Sequence, residues 1–150
     1  MAEETPEDIR KRRRAEREAK HAARRAEIKR RNAEQIEDVE DIAADLDLAP
    51  EHVVKVATDA GVVACKKAAP HEICRFFKNV NPVNRTGGRR GKNPPDYDEL
   101  VQGLVRSARI YPESDAFETI LAEYPLVWHT LADALTDMAG GTFEADVTKN

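Results

Sequence analysis

Aromatic residues are scarce in this chain: four Phe, three Tyr and one Trp make up 5% of 150 residues, while 35% are charged. So little large apolar area excludes a big hydrophobic core, and a small core with much of the chain on the surface is expected. Long apolar runs are missing as well, and none approaches the ~18 residues of a membrane-spanning helix. The first residues, MAEETPEDIRKRRR, lack the apolar stretch of a secretory signal. The chain is therefore expected to stay inside the cell that makes it, in host cytoplasm or a virion if it is viral. Two cysteines, Cys65 and Cys74, are too few for a disulfide framework and fit a reducing compartment.

Recognisable catalytic sets are absent too. There is no Ser-His-Asp constellation, no phosphate-loop lysine motif and no carboxylate pair in an active-site context, so a non-enzymatic protein without a cofactor is expected. His52, Cys65, His71 and Cys74 have a loosely metal-like spacing, but the short Cys-Cys knuckle of structural zinc sites is missing. No metal is expected there.

What the chain has in quantity is segregated charge. The net charge of −4 hides blocks of opposite sign. Residues 10–31 hold twelve Lys/Arg against three Glu, and residues 34–51 hold eight acids and no base. Residues 66–92 hold eight bases against Glu72, and residues 93–150 hold eleven acids against three bases. Blocks of this kind bear on electrostatic partners rather than on fold.

Thr5-Pro6-Glu7-Asp8 reads as a helix start: Thr5 caps free N–H groups, Pro6 suits the first helical position, and the acids complement the dipole. Neither Gly nor Pro then occurs until Pro50. A run rich in Ala, Arg, Lys and Glu predicts one helix of forty-odd residues, roughly 60 Å long. Ala15, Ala19, Ala22, Ala26, Ala33 and Ile36 form a thin seam along it, interrupted by Lys29, and the simplest role for alanine there is helix propensity on a solvated rod. Further short helices are expected from Pro50 to Gly61, from Pro70 to Val80, after Asp96, after Ser114 and after Pro125. The helix after Asp96 is the most regular, with Tyr97, Leu100, Val101, Leu104, Val105 and Ala108 on one face. No strand pair is evident. The expected class is all-α, divided into a charged helical arm (1–35), a core (36–80), a Gly/Arg/Pro loop (81–95), a C-terminal helical unit (96–141) and a tail (142–150).

VEDIAADLDLAPEHVVKVATDAGV (39–62) resembles the helix-turn-helix of DNA-binding proteins. Ile42 and Ala43 match its first helix, Leu46 and Leu48 flank its turn, and Val53 and Val56 match the inward positions of its recognition helix. Asp47 stands where that family usually has Gly. The resemblance implies a DNA-binding core whose second helix presents Glu51, His52, Lys55, Thr58 and Asp59. That set suits base reading in the major groove poorly. Contact therefore falls to the two basic blocks. The first, with Arg10, Lys11, Arg12, Arg13, Arg14, Arg17, Arg24, Arg25, Lys29, Arg30 and Arg31, sets bases nearly all round a helix. Lys55, Lys66, Lys67, Arg85, Arg89, Arg90 and Lys92 complete the candidate set, and Gly87, Gly88 and Gly91 let the loop approach phosphates.

The function expected is a nucleic-acid-binding accessory protein, DNA before RNA, that grips the phosphate backbone and associates with itself or a protein partner through 96–141. The order of parts resembles phage small terminase subunits, which implies a role in DNA packaging with viral DNA and the packaging motor as partners; a regulatory role fits the same features. The main alternative is a viral structural or assembly protein whose charged helix packs against other subunits, 10–31 of one against 34–51 of another. An RNA adaptor ranks last, because the basic blocks lack exposed stacking aromatics.

Overall fold

The structure, a computed structural model, describes residues 3–80 and 96–148. Helix α1 runs unbroken over Pro6–Asp45. Its N-terminus closes with a full capping box: the Asp8 amide donates to Thr5 Oγ1 at 3.2 Å, and the Thr5 amide donates to Asp8 Oδ2 at 3.2 Å. The Thr5 hydroxyl, donating to Asp8 Oδ2 at 2.6 Å, and then the Thr5 amide hold the Asp8 carboxyl below its ordinary pKa. At the other end Asp47 takes the left-handed conformation at φ 56°. The Leu48 amide donates to Ala43 O and the Asp47 amide to Ala44 O, so the helix ends in a Schellman motif with Asp in the place glycine usually fills.

Three strands overturn the expectation of an all-α chain. A 3-10 turn over Pro50–His52 leads into strand β1 (Val53–Thr58), a two-residue turn at Asp59-Ala60, and strand β2 (Gly61–Lys66). β1 pairs antiparallel with β2, and β2 pairs antiparallel with the short β3 (Arg109–Tyr111), giving the order β1-β2-β3. The expected second helix of the helix-turn-helix-like core is thus a β-hairpin. The cause lies in the residues: Val53, Val54, Val56, Thr58, Val62 and Val63 are β-branched, which favours a pleated strand over a helix. Val53, Val56 and Ala57 satisfy helical spacing only by coincidence: in the strand Val54, Val56 and Thr58 share the more buried face, and Ala57 is exposed on the other.

The pleat sorts the hairpin between two layers. Val62 and Ala64 face α1 and are fully buried against Val39, with Ile36, Val53, Ile110 and Tyr111 around them. Val63 and Cys65 point the other way, into the main core. That core is closed by α2 (Pro70–Val80), α3 (Tyr97–Ala108), α4 (Ser114–Glu123) and α5 (Leu126–Thr148). Ile73, Phe76, Val101, Leu104, Val105, Phe117, Leu121, Trp128, Leu131 and Leu135 fill it. The inward positions expected on α3 all belong to this cluster except Tyr97, which is 42% exposed. Outside it, Arg106 lies over the Trp128 ring at 5.0 Å and donates to both carboxylate oxygens of Glu118.

Gly61 carries the tightest joint of the fold. Its φ is +146°, and a Cβ there would stand 3.1 Å from Ile120 Cδ1 and 3.2 Å from Gln35 Oε1. Gly61→Ala is expected to lower the unfolding free energy by about 1–3 kcal/mol in urea titration, and a change below ~0.5 kcal/mol would show that the joint yields. Asp47→Gly, which relieves a left-handed aspartate, is expected to raise it by about 0.5–1 kcal/mol.

Candidate nucleic-acid interface

Among the described residues, the hydrogen bonds of α1 to the sheet begin at Arg31. Arg31 donates through Nη2 to Asp59 O, Asn32 Nδ2 donates to Thr58 O at 2.9 Å, and Gln35 Oε1 accepts from the Val62 amide at 2.8 Å. Three successive inward positions of the helix thus satisfy the backbone of the hairpin turn. Thr58 braces that turn from inside: its buried hydroxyl donates to Gly61 O and accepts from the Ala60 and Gly61 amides. From this joint α1 runs along the hairpin toward Leu48 in one direction. In the other, residues 10–27 are exposed without exception. The free part, residues 6–30, extends about 37 Å beyond the hairpin turn at 1.5 Å per residue.

The joint also fixes which side of the free arm faces which way. From residue 28 on, Ile28, Arg31, Asn32, Gln35, Ile36, Val39, Ile42 and Ala43 are the buried or half-buried positions, so they mark the side of α1 that carries the body. At ~100° per residue, Arg10, Arg13, Arg14, Arg17, His21, Arg24 and Arg25 continue that same side within an arc of about 120°. Lys11, Lys20 and Lys29 stand at its margins. The opposite side carries Ala15, Ala19, Ala22, Ala23 and Ala26, with Glu16 and Glu27 beside them. Bases stand on nearly every side of the helix, Arg12 and Arg30 opposite the body included, but they are densest in this stripe, whose facing the inward register of residues 28–39 reveals.

Ion pairing sorts the same residues in the same way. Arg12 and Arg30 point to the alanine side, and both are engaged: Arg12 with Glu4 at 2.8 Å and Glu16 at 4.0 Å, Arg30 with Glu27 at 2.5 Å and Glu34 at 2.7 Å. Arg30 holds the Glu27 carboxyl below its ordinary pKa, and Glu27 raises that of Arg30. Arg14, at the stripe's edge, pairs with Glu18 at 3.1 Å. Among the described residues no ion pair involves Arg10, Arg13, Arg17, Arg24 or Arg25. Five of the stripe's six arginines are thus without an ion pair among the described residues, and all six stand on one continuous helix.

The other candidates lie elsewhere. Arg31 belongs to the joint, half-buried, with its Nε buried and without a hydrogen-bond partner. Lys55 sits on β1 and pairs with Glu40 at 3.4 Å. Lys66 and Lys67 are exposed where the hairpin opens, about 17 Å from its turn at ~3.3 Å per residue and away from the arm. Arg75 and Lys78 are exposed on α2. Arg85, Arg89, Arg90 and Lys92 lie outside the described residues. The described part of the second block is therefore separated from the stripe by the length of the sheet. His21, which sequence reasoning passed over, lies within the stripe; its spacing from Arg14, Arg17, Arg24 and Arg25 was the signal.

Among the described residues no group of three or more His, Cys, Asp or Glu is placed to hold a metal ion, and Cys65 and Cys74 are both free. No helix among them is long and apolar enough to cross a membrane. Compared with protein-family models, curated proteins and solved structures, the chain matches none of them.

Burial pushes the Cys65 thiol up from its ordinary 9.0 to about 12, partly opposed by Arg109. The folded state favours the neutral thiol, so its contribution to stability is full below pH 9 and is lost as pH rises from 9 toward 12. Urea unfolding should therefore show stability falling above that pH, with a shallower slope in Cys65→Ala. Equal slopes in the two proteins would remove Cys65 as the cause. In the native protein Cys74, exposed, should react with thiol reagents while Cys65 does not.

Proposed function

We propose that the chain is a nucleic-acid-binding accessory protein that grips the phosphate backbone with the arginine stripe of α1. One observation carries this: arginines free of ion pairs among the described residues are gathered on one side of an exposed helix, while Arg12 and Arg30 on the other side are paired. Guanidinium groups recognise phosphate oxygens by paired N–H donors, and a row of them on a helix matches a row of phosphates better than a mixed surface does. From Arg10 to Arg25 the stripe is about 22 Å long. Duplex DNA carries one charge per ~1.7 Å of axis, so phosphates outnumber the stripe's arginines along that length.

Duplex DNA is favoured over single-stranded RNA because residues 10–31 contain no Phe, Tyr or Trp on which a base would stack, and His21 is the one ring among them. The hairpin at 53–66 offers no helix for the major groove, so contact is with the backbone and not with base edges. Binding is accordingly strong at low salt and tolerant of sequence.

The five unpaired stripe arginines on phosphates give a slope of about −4.5 for log K against log salt. Arg13→Ala/Arg17→Ala is expected to reduce that slope by about 2, and Arg12→Ala/Arg30→Ala to leave it nearly unchanged. Both variants lose the same formal charge. Fluorescence anisotropy with a labelled duplex at several salt concentrations distinguishes them. Equal losses in the two variants would refute a one-sided grip, and absence of binding at low salt would refute the function.

A further inference from the structure

The other end of α1 has the opposite charge and no less exposure. Glu34, Glu37, Asp38, Glu40, Asp41 and Asp45 are exposed, and no base stands in the last turn. Glu34–Asp38, Glu37–Asp41 and Asp41–Asp45 are like charges four residues apart, which repel, and they lie toward the end of the helix that already carries partial negative charge. Arg30 at Glu34 and Lys55 at Glu40 are the cations paired with this face among the described residues. Beside it runs an apolar groove of about 340 Å³ between α1 and β1, walled by Val39, Ala43, Leu48, Pro50 and Val53. Leu46, just past α1, is 51% exposed.

Each half of α1 therefore repels itself and attracts the other half. Within one chain they cannot meet, because a straight helix holds residue 20 about 30 Å from residue 41, roughly three Debye lengths at 0.1 M salt. Between chains nothing forbids the contact. We propose that the acidic face and adjoining groove of α1 (34–48) form a docking site for the basic arm (10–31) of a second copy. Arginine stems cover the apolar walls while their guanidinium ends reach the carboxylates. The stripe faces the side of α1 that carries the body, and most of the acids face away from it. One pair of molecules then cannot satisfy both contacts around a two-fold axis, so the association is head-to-tail and open-ended. Nucleic acid uses the same arm and competes with it.

Sedimentation velocity on the full chain tests this. At low ionic strength association should rise with protein concentration, and at ~0.5 M salt it should vanish, because a Debye length of a few ångströms screens exposed pairs. Glu37→Gln/Asp41→Gln and Arg13→Gln/Arg17→Gln should each weaken self-association about tenfold, as loss of rim charge pairs does. Glutamine is a good helix former and these sites are exposed, and circular dichroism verifies that both variants remain helical. Mixed together, the two should form one-to-one complexes that grow no further, since one supplies only an intact arm and the other only an intact acidic face. A chain that stays monomeric at low salt, an association indifferent to either pair of substitutions, or a mixture without complexes would overturn the proposal. The acid-face variant should still bind duplex DNA as well as the unaltered chain; if neither binds DNA yet the mixture pairs, the docking site stands and the proposed function falls.

Discussion

A straight α-helix of forty residues sets the distance and the facing of everything it carries, and the rest of this protein is arranged around that constraint. The C-terminal third of α1 is fastened to the sheet by Asn32, Gln35 and Val39, which occupy the turn backbone and the buried face of β2. Once those positions are fixed, the helical repeat decides the rest. Residues 10–25 must project past the hairpin, with their arginines on the body side and their alanines on the other. Gly61 is the point where the hairpin comes close enough for this fastening, since any side chain there would meet Ile120 and Gln35.

Much of this was legible in the residues. The absence of Gly and Pro between Pro6 and Pro50, the Thr5–Asp8 pair and the charge blocks together define a long, charged, capped rod. The regular spacing on α3 marks its buried face correctly apart from Tyr97. The hairpin was not legible, for a physical reason. A half-exposed strand announces itself by alternation, but β2 is buried on every residue from Gly61 to Cys65 and so reads as a plain apolar run. β1, short and valine-rich, satisfies a helical spacing equally well over Val53, Val56 and Ala57. Without the hairpin, the inward register of α1 is unknown, and the bases look spread around the helix. The spacing of the stripe is in the sequence, but the side it faces emerges only when tertiary contacts name the inward side.

The charge arrangement works against local stability. Like charges three and four residues apart destabilise a helix at both ends of α1, and acids near its C-terminus oppose the dipole. Strong helix formers and the capping box offset this in the arm; the packing of Val39 and its neighbours offsets it in the acidic third. Charge held in that way is available to partners, for which the desolvation of already exposed groups costs little. Proposed DNA grip and proposed self-docking are two outlets for the same basic arm, and salt weakens both, because both replace mobile counterions with fixed ones.

Both of these contacts require the two ends of α1 to stay apart in solution. Pulsed electron resonance between spin labels at Ala15→Cys and Ala44→Cys, in a chain with Cys74 replaced, measures that separation directly. Both sites lie on the side of the helix away from the body, 29 residues apart, and a continuous rod places them about 44 Å from one another. The expected result is one narrow distance distribution near that value, the same at low and high salt in dilute protein. A short or broad distribution at low salt, with the arm folded back onto its own acids, would contradict a rigid, outstretched arm.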